Sequence, residues 1–415
     1  MMRLKVAFRN VFRNKGRSAL SILMIAGAVA GIVQFRGFAR DTMQALERVV
    51  IDSQYGHVQV ASQAYWDNMP GERKARLLTD HEELARKIAA LPGVTRVSGR
   101  LGFFGLLSNG ETTVSAKVAA FDPAKEKELG ASLNTLDGKL LADPDANEMI
   151  IGSGMQKQLS VKPGDTLTML VYTFDGIVNA VDFKVTGIYS AGTEEVDNFV
   201  VMMPLKAAQL LADTPKVETL SVRAARIEDT DAVRARVEAL LRSTEGTGAP
   251  AAAPARLSAR TWVELSELFR KVDSFYKTQN AIVEGILMVL VLLGILNTVG
   301  MTVYERTGEI GTVRALGETD RDVVLQFTLE GAILGAIGVV LGWALGLIVA
   351  VTLSSAGITM DMPGAALPIP VNIVLVPSAF ITAGLVTWLT AIAATWYPSI
   401  RATRMSIVEA LKRNI

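Results

Sequence analysis

The stretch AIVEGILMVLVLLGILNTVGMTV, residues 281–303, is 23 residues long and contains a single ionisable side chain, Glu284. A helix of this length crosses the ~30 Å hydrocarbon layer of a bilayer. Two more apolar stretches follow it, at residues 325–353 and 376–397, and one precedes it far upstream, at residues 18–38. We therefore predict an α-helical membrane protein with four transmembrane helices in a one-plus-three layout.

Lysine and arginine placement predicts the orientation. The segment before the first span, residues 1–17, has no acidic residue and six basic ones: Arg3, Lys5, Arg9, Arg13, Lys15 and Arg17. The tail, residues 398–415, is also basic, whereas the loop at 354–375 has no lysine or arginine. Because short cytoplasmic segments carry the basic excess, we expect a multi-pass membrane protein with both termini and the loop at 304–324 in the cytoplasm.

The alternative for the first apolar stretch is a cleaved signal peptide. This stretch lacks a clear small-x-small cleavage site, and a helix-favouring segment, residues 40–50, follows it. We therefore expect an uncleaved span.

Residues 39–280 are predicted to form an extracytoplasmic, periplasmic α+β domain. Apolar residues at helical spacing predict a stalk helix at each end, residues 40–50 and 262–276. Between them, alternating patterns predict strands at 57–61, 94–118, 148–151, 166–173, 180–189 and 199–203, and helices at 79–91 and 229–241. Asn109–Gly110 favours a hairpin turn, and an Ala/Pro/Gly-rich stretch, residues 245–255, is typical of a surface loop.

Several kinds of chemistry have no sequence support. No G-x-x-x-x-G-K-[ST] phosphate loop occurs and cysteine is absent, so ATP hydrolysis and thiol chemistry are not expected in this chain. The two histidines, His57 and His81, lack partners at metal-ligand spacing, and Gly152 with Gly154 fits a strand-to-helix turn better than a dinucleotide site. A net charge of +1 gives no reason to expect nucleic-acid binding. We predict no catalytic residue, bound metal or cofactor.

The predicted spans contain few charges and many glycines. Glu284 and Glu330 lie near the ends of their spans, where each can reach an interface or a helix partner. The third span contains Gly331, Gly335, Gly338, Gly342 and Gly346, and such small residues allow close helix packing, within the chain or across a dimer.

The loop YERTGEIGTVRALGETDRDVV, residues 304–324, is charged around an apolar set: Ile310, Val313 and Leu316. Gly317 predicts a helix stop and Thr319 a new N-cap. The pattern indicates a short amphipathic helix that could fit a groove on a soluble protein, or an ordinary turn between spans.

This loop, ERTGEIGTVRALG, and the ending YPSIRATRMSIVEAL at 397–411 resemble the FtsX-like/MacB-like permeases of ABC transporters, whose span layout also matches. The resemblance implies a dimer with a second copy or paralogue, and a coupling helix that docks on a separate cytoplasmic ABC ATPase, which binds ATP and Mg. It assigns this coupling role to Glu305, Arg306, Glu309, Ile310, Val313, Arg314, Leu316 and Gly317.

Within the family, YGHVQV at 55–60 and the stretch at 185–211 look most like the lipoprotein-releasing LolC/LolE branch. That branch implies a location in the cell inner membrane with the outer domain in the periplasm. It also implies a lipoprotein substrate drawn from membrane lipid and a periplasmic carrier, for which the hairpin at 172–180 is the place to look. Acyl chains would contact Phe35, Phe38, Ile282 and Ile286. Alternatives are MacB-like efflux of macrolides or peptides and FtsX-like signalling to periplasmic partners. A membrane enzyme that acts outside the cytoplasm is disfavoured by the lack of a nucleophile–base–acid constellation.

Overall fold

The computed structural model describes residues 2–67, 73–126, 133–245, 256–360 and 369–405. Its helices are α1 (Met2–Val11), α2 (Lys15–Val49), α3 (Gln63–Trp66), α4 (His81–Ala89), α5 (Ser153–Leu159), α6 (Glu194–Phe199), α7 (Leu205–Ala212), α8 (Thr230–Glu245), α9 (Trp262–Leu265), α10 (Glu267–Glu305), α11 (Thr307–Ala315), α12 (Asp320–Ser355) and α13 (Pro377–Thr403). Its strands are β1 (Val58–Ser62), β2 (Val94–Ser108), β3 (Thr113–Phe121), β4 (Asn134–Gly138), β5 (Glu148–Gly152), β6 (Thr166–Tyr172), β7 (Val178–Ser190), β8 (Val200–Pro204), β9 (Thr219–Ala224), β10 (Leu257–Thr261), β11 (Thr359–Met360) and β12 (Ile369–Pro370).

The chain forms two compact units, which we call the helical unit and the sheet unit. The helical unit comprises Met1–Gln44, Val272–Thr359 and Pro370–Ile415; the sheet unit comprises Ala45–Lys271 and Met360–Ile369. Most of the Ala/Pro/Gly-rich loop predicted at 245–255 and the end of the predicted tail lie outside the described residues.

The helical unit contains all four predicted spans. Four helical segments are long and apolar enough to cross a membrane: Lys15–Asp52, Glu267–Glu305, Asp320–Ser355 and Pro377–Thr403. Each covers one of the four predicted apolar stretches, so the one-plus-three layout is confirmed. Helix α1 of the same unit was not predicted, because residues 1–17 were interpreted only as a basic segment.

Glycines of α12 let two neighbouring helices approach closely. A Cβ atom added to Gly338 would lie 2.5 Å from Ile25 Cγ2, and one on Gly342 would lie 2.7 Å from Val29 Cβ, so this edge packs on α2. On another edge, a Cβ on Gly331 would lie 2.1 Å from Thr395 of α13. The glycine pattern therefore packs α12 between α2 and α13 within one chain.

The sheet unit is built on one long strand, β2. Its first half pairs with β9, and its second half pairs with β3 and β6. One sheet edge runs β10-β1-β9-β2. A second set of pairings runs β2-β3-β8-β5-β7-β6 and returns to β2, which forms a closed path. Strand β4 pairs with β7 outside this path.

The two larger hydrophobic cores of the sheet unit lie on the two parts of this sheet. The closed path packs buried side chains such as Leu107, Met169 and Phe183 against α5 and α7. The other part packs Val60, Val97 and related residues against α4 and α8. A third, smaller core lies on β3, β5, β7 and β8. The α+β domain between the first span and the rest is therefore confirmed, and its described residues form three cores on one continuous sheet.

The strand predictions hold with small shifts, including the hairpin at Asn109–Gly110, where Gly110 has a φ of +93°. Strands β4, β9 and β10 and the two-residue strands β11 and β12 were not predicted. All five residues of β4 are exposed, and β9 is buried at five of its six positions, so neither has the in–out alternation that sequence reasoning looked for. Gly152 and Gly154 do form a strand-to-helix turn, against Asp197 and Asn198.

We predict that Gly342→Ala destabilises the helical unit, because its methyl group would lie 2.9 Å from the Ala26 carbonyl oxygen as well as against Val29. Overpacking of this kind costs about 1–3 kcal/mol. The measurement is thermal unfolding of the detergent-solubilised chain. Gly27→Ala is the matched control, since nothing lies within 4 Å of that added methyl; equal unfolding temperatures for the two variants would contradict the packing argument.

Candidate functional site

The joint between the second span and the loop helix is a single residue, Arg306. Helix α10 ends at Glu305 and α11 begins at Thr307, and Arg306 between them has φ −96° and ψ 12°. Backbone hydrogen bonds cross this residue in both directions: its N–H donates to Thr302 O at 3.1 Å, and its O accepts from Ile310 N–H at 2.9 Å. The loop helix therefore continues from the span with only a slight break.

Two exposed ion pairs connect this region to the N-terminal segment. Arg13 donates to both carboxylate oxygens of Glu309, at 2.8 and 3.2 Å. Arg17 does the same to Glu305, with Nη2 at 2.6 Å from Oε1. These two-point arrangements fix direction as well as distance. The start of α2 and the turn before it thus contact two of the predicted coupling residues.

A buried ion pair lies beneath them. Arg306 Nη1 lies 3.1 Å from Glu330 Oε1, and the two side chains are only 9% and 10% exposed. Asn10 of α1 donates to the same Glu330 oxygen at 2.7 Å. The sequence suggested that Glu330 could reach an interface or a helix partner, and its partners are on the loop joint and on α1.

The eight predicted coupling residues do not form one surface. Arg306 and Ile310 are buried, and Val313 and Arg314 are partly buried. Glu305, Glu309, Leu316 and Gly317 are exposed, with Leu316 at 84%. The apolar set expected to fit a groove is therefore divided, because Ile310 joins the core of the spans and leaves Leu316 as the exposed apolar residue of that set.

The end of the loop helix is held in place by polar contacts. Arg314 donates to Met405 O at 2.8 Å and pairs with Asp320 at 2.9 Å. Gly317 has a φ of +105°, which confirms the predicted helix stop. Thr319 is the N-cap of α12, and its N–H donates to Asp322 at 3.2 Å, which confirms the predicted cap.

A second ion pair lies near the other ends of the first two spans. Arg36 of α2 lies 2.6 Å from Glu284 of α10 and also donates to Thr382 of α13. This pair brings together the segments that carry the four predicted acyl-contact residues. Ile282 and Ile286 are each 57% exposed, and Phe35 and Phe38 are half-buried.

The sheet unit offers little catalytic chemistry. Among the described residues, no cluster of three metal-ligating side chains occurs. His57 is 4% exposed, and burial, with Arg223 nearby, lowers its pKa to about 4. The predicted carrier hairpin is formed by β6 and β7, and it carries three exposed apolar side chains: Tyr172, Ile177 and Val178.

Glu218 is a buried acid in the same unit. Its side chain accepts a hydrogen bond from Gly102 N–H at 3.2 Å, and the residue is 7% exposed. Burial raises the pKa of Glu218 to about 7, although that hydrogen bond and the nearby positive charge of Arg76 act in the opposite direction.

Two domain families match this chain. The MacB-like periplasmic core domain matches residues 18–240, which is more than half of the chain, and the FtsX-like permease C-terminal domain matches residues 281–407. The chain belongs to the MacB-like/FtsX-like family of ABC transporter permeases. It is therefore a multi-pass membrane protein, and the family resemblance seen in the loop and tail motifs is confirmed.

Relatives of this permease differ in their named substrates. It is 23% identical to the lipoprotein-releasing system transmembrane protein LolC of Neisseria meningitidis, over 81% of this chain and 80% of that protein. It is 23% identical to an uncharacterised ABC transporter permease of Methanocaldococcus jannaschii, over 83% and 82%. It is 22% identical to the macrolide export ATP-binding/permease protein MacB of Bdellovibrio bacteriovorus, and it spans 52% of that protein's length.

The sequence analysis did not identify Arg36 as the partner of Glu284 or Arg306 as the partner of Glu330. The signal was available, since Arg36 lies inside the first span and Arg306 directly follows the second. A charge at such a position is costly in hydrocarbon without a partner. Searching the spans for one acid and one base at matching depth would have suggested both pairs.

We predict that Glu218→Gln stabilises the sheet unit at pH 8 and not at pH 4.5. The pKa of Glu218 in the folded chain, about 7, exceeds its ordinary value of 4.5. The wild-type free energy of unfolding is therefore highest below pH 4.5 and decreases as the pH rises through 7. At pH 8 the free energy of unfolding of Glu218→Gln should exceed that of the wild type by roughly 3 kcal/mol, from about 1.4 kcal/mol per pKa unit. The measurement is hydrogen exchange of β2 and β9 amides in the full chain.

The control for this experiment is Glu228→Gln, which removes an exposed carboxylate of the same unit. It should leave the exchange unchanged at both pH values. Equal protection of wild type and Glu218→Gln at pH 8 would contradict a raised pKa at this site.

Proposed function

We propose that this permease is the non-catalytic transmembrane subunit of an ATP-driven machine. The observation that carries the proposal is the loop helix α11, which leaves Leu316 84% exposed while Arg306 and Ile310 tie it into the spans. A partner pressing on the exposed side would move the tied side. In this proposal the loop lies in the cytoplasm, as the basic termini predict, and a separate ABC ATPase binds the ATP and Mg.

The proposed mechanism transmits motion without requiring substrate to cross the bilayer. ATP binding by the partner displaces α11, and α10 carries the displacement because the backbone is nearly continuous through Arg306. The Arg36–Glu284 pair then passes it to α2. Two copies, or this chain and a paralogue, would close on a substrate held between them.

For the substrate, we propose a lipoprotein released from the inner membrane. Support comes from LolC, a lipoprotein-releasing relative that matches over about four fifths of both chains. The exposed side chains of Ile282 and Ile286 provide apolar surface of the kind that acyl chains contact. A periplasmic carrier would be received at the hairpin of β6 and β7, whose exposed tip carries Tyr172 and Ile177.

The second candidate is MacB-like efflux. It is favoured by the match to the MacB-like periplasmic core domain over residues 18–240 and by two MacB relatives at 22% and 25% identity. FtsX-like signalling to periplasmic partners is a third possibility within the family, favoured by the C-terminal domain match. Each predicts a different set of associated proteins.

The first experiment is affinity isolation of the tagged full chain from its own membranes in mild detergent, in parallel with Leu316→Ser. We expect an ABC ATPase with the wild type and about tenfold less of it with the variant, because truncating an exposed apolar contact residue costs an interface roughly 1.4 kcal/mol. Leu210→Ser, at an exposed leucine of the sheet unit, is the matched control and should retain the ATPase.

The remaining co-isolated proteins distinguish the substrate classes. A bound lipoprotein supports lipoprotein release, and an outer-membrane channel or adaptor supports efflux. A periplasmic hydrolase or its activator, without a displaced substrate, supports signalling. Absence of any ATPase with the wild type would overturn the coupling proposal altogether.

We further predict that Glu309→Gln uncouples the ATPase from transport while the dimer stays intact. Its pair with Arg13 is more than half exposed on both sides, so its loss should leave the stability of the chain nearly unchanged. Substrate release per ATP hydrolysed should fall about threefold, a change typical of residues that modulate coupling. The assay measures both rates in proteoliposomes of the isolated complex.

Arg314→Gln should uncouple as well, but with a larger loss of stability, because Arg314 also holds Met405 O and Asp320. A Glu309→Gln complex with wild-type release per ATP would rule out a coupling role for this carboxylate.

A further inference from the structure

The region beneath the loop helix contains a buried ion pair, Arg306 with Glu330, whose side chains are 9% and 10% exposed. Burying two charges is costly unless each is fully hydrogen-bonded. Asn10 completes a ring of three hydrogen-bonded residues with Arg306 and Glu330. The side-chain amide of Asn10 donates to Glu330 Oε1 at 2.7 Å, and Arg306 Nη2 donates to the backbone carbonyl oxygen of Asn10 at 3.4 Å. One side chain therefore binds two other helices, α12 and α1.

The position of Arg306 makes this arrangement mechanical. Its backbone belongs to the joint between α10 and α11, but its guanidinium is bound to α12, which follows α11 in the chain. Thr307 holds the other side of the joint to α10, donating to the carbonyl oxygens of Val303 and Tyr304. A displacement of α11 thus reaches α10 through the backbone and α12 through the Arg306 side chain.

A cavity next to the ring is too small for a substrate. Its volume is about 30 Å³, enough for water, and polar side chains including Asn14, Ser18 and Thr302 line it. Its size excludes a lipid or peptide ligand, and the polar side chains among its lining can hydrogen-bond to water beside the ring. The ring is therefore better suited to transmitting force than to binding a ligand.

We propose that Arg306, Glu330 and Asn10 are positioning residues that transmit the displacement of the loop helix to the third span. This inference rests on the proposed coupling function and adds a second route, through α12, to the route along α10. Because α12 packs on both α2 and α13 through its glycines, moving α12 would move the other two spans with it.

The test measures a distance change within one chain. The chain has no cysteine, so paired substitutions Val289→Cys and Val351→Cys, at exposed positions of α10 and α12, give two unique spin-label sites. Labelled chain, diluted with unlabelled chain, is isolated with its ATPase and placed in phosphatidylethanolamine–phosphatidylglycerol nanodiscs. The α10–α12 distance is measured by pulsed electron paramagnetic resonance before and after adding ATP, Mg and vanadate.

We expect a nucleotide-dependent change in the wild type that Arg306→Gln and Glu330→Gln each reduce to below about a third, with the ATPase still bound. The double variant should show the same reduction as the single ones, since residues that act as one pair are not additive. It also removes both buried charges at once, which avoids leaving either charge unpaired and so keeps the test valid where a single variant fails to fold.

The control is Glu267→Gln, which breaks the exposed Glu267–Lys271 pair at the far end of α10 and should leave the distance change intact. A full change in the double variant with ATPase bound would overturn the inference and leave the proposed function standing. An equal loss in the control would also overturn it. A wild type that binds no ATPase, or that shows no change with ATPase bound, would overturn the inference; only the missing ATPase would count against the proposed function as well.

Discussion

Close packing of the third span is the constraint on which the helical unit depends. In hydrocarbon, helices gain little from hiding apolar side chains from one another, so association relies on backbone approach and on polar contacts. Helix α12 supplies the close approach, with glycines against Ile25 and Val29 of α2 and against Thr395 of α13. In its apolar segment, the second span, α10, has a smaller fraction of buried residues than the other three spans. Side-chain ion pairs connect it to its neighbours.

These polar ties lie at the two ends of the spans. Arg36 joins Glu284 at one end, and Arg306 joins Glu330 at the other. The Arg36–Glu284 pair connects helices far apart in the chain, and the Arg306–Glu330 pair connects the loop joint to the helix that follows it. Each pair neutralises charges that would be costly in a bilayer. Apolar packing and buried charge therefore act together, and a movement applied to the loop helix has a continuous set of contacts through which to reach the other spans.

Much of the fold could be predicted from the sequence alone. Long apolar runs predicted four spans because a bilayer admits few alternatives to a helix of about 20 residues. Alternation predicted β6 and β7, whose buried and exposed residues follow one another along the strand. The same reasoning missed β9, which is buried on both faces, and placed Arg306 among the coupling residues without detecting that its guanidinium is turned inward to Glu330.

Local sequence patterns were enough to predict the number of spans, the helix stop at Gly317 and the family motif at 305–317. The spans depend on local composition, the helix stop on the backbone freedom of glycine, and the motif on short spacing. Three features became visible in the tertiary structure alone. They are the partners of the charged side chains, the pairing of β2 in two parts of one sheet, and the burial of Ile310 while Leu316 stays exposed. Those features depend on contacts between residues tens to hundreds of positions apart, such as Asn10 with Glu330. A local pattern contains no record of which distant side chain will fill the space beside it.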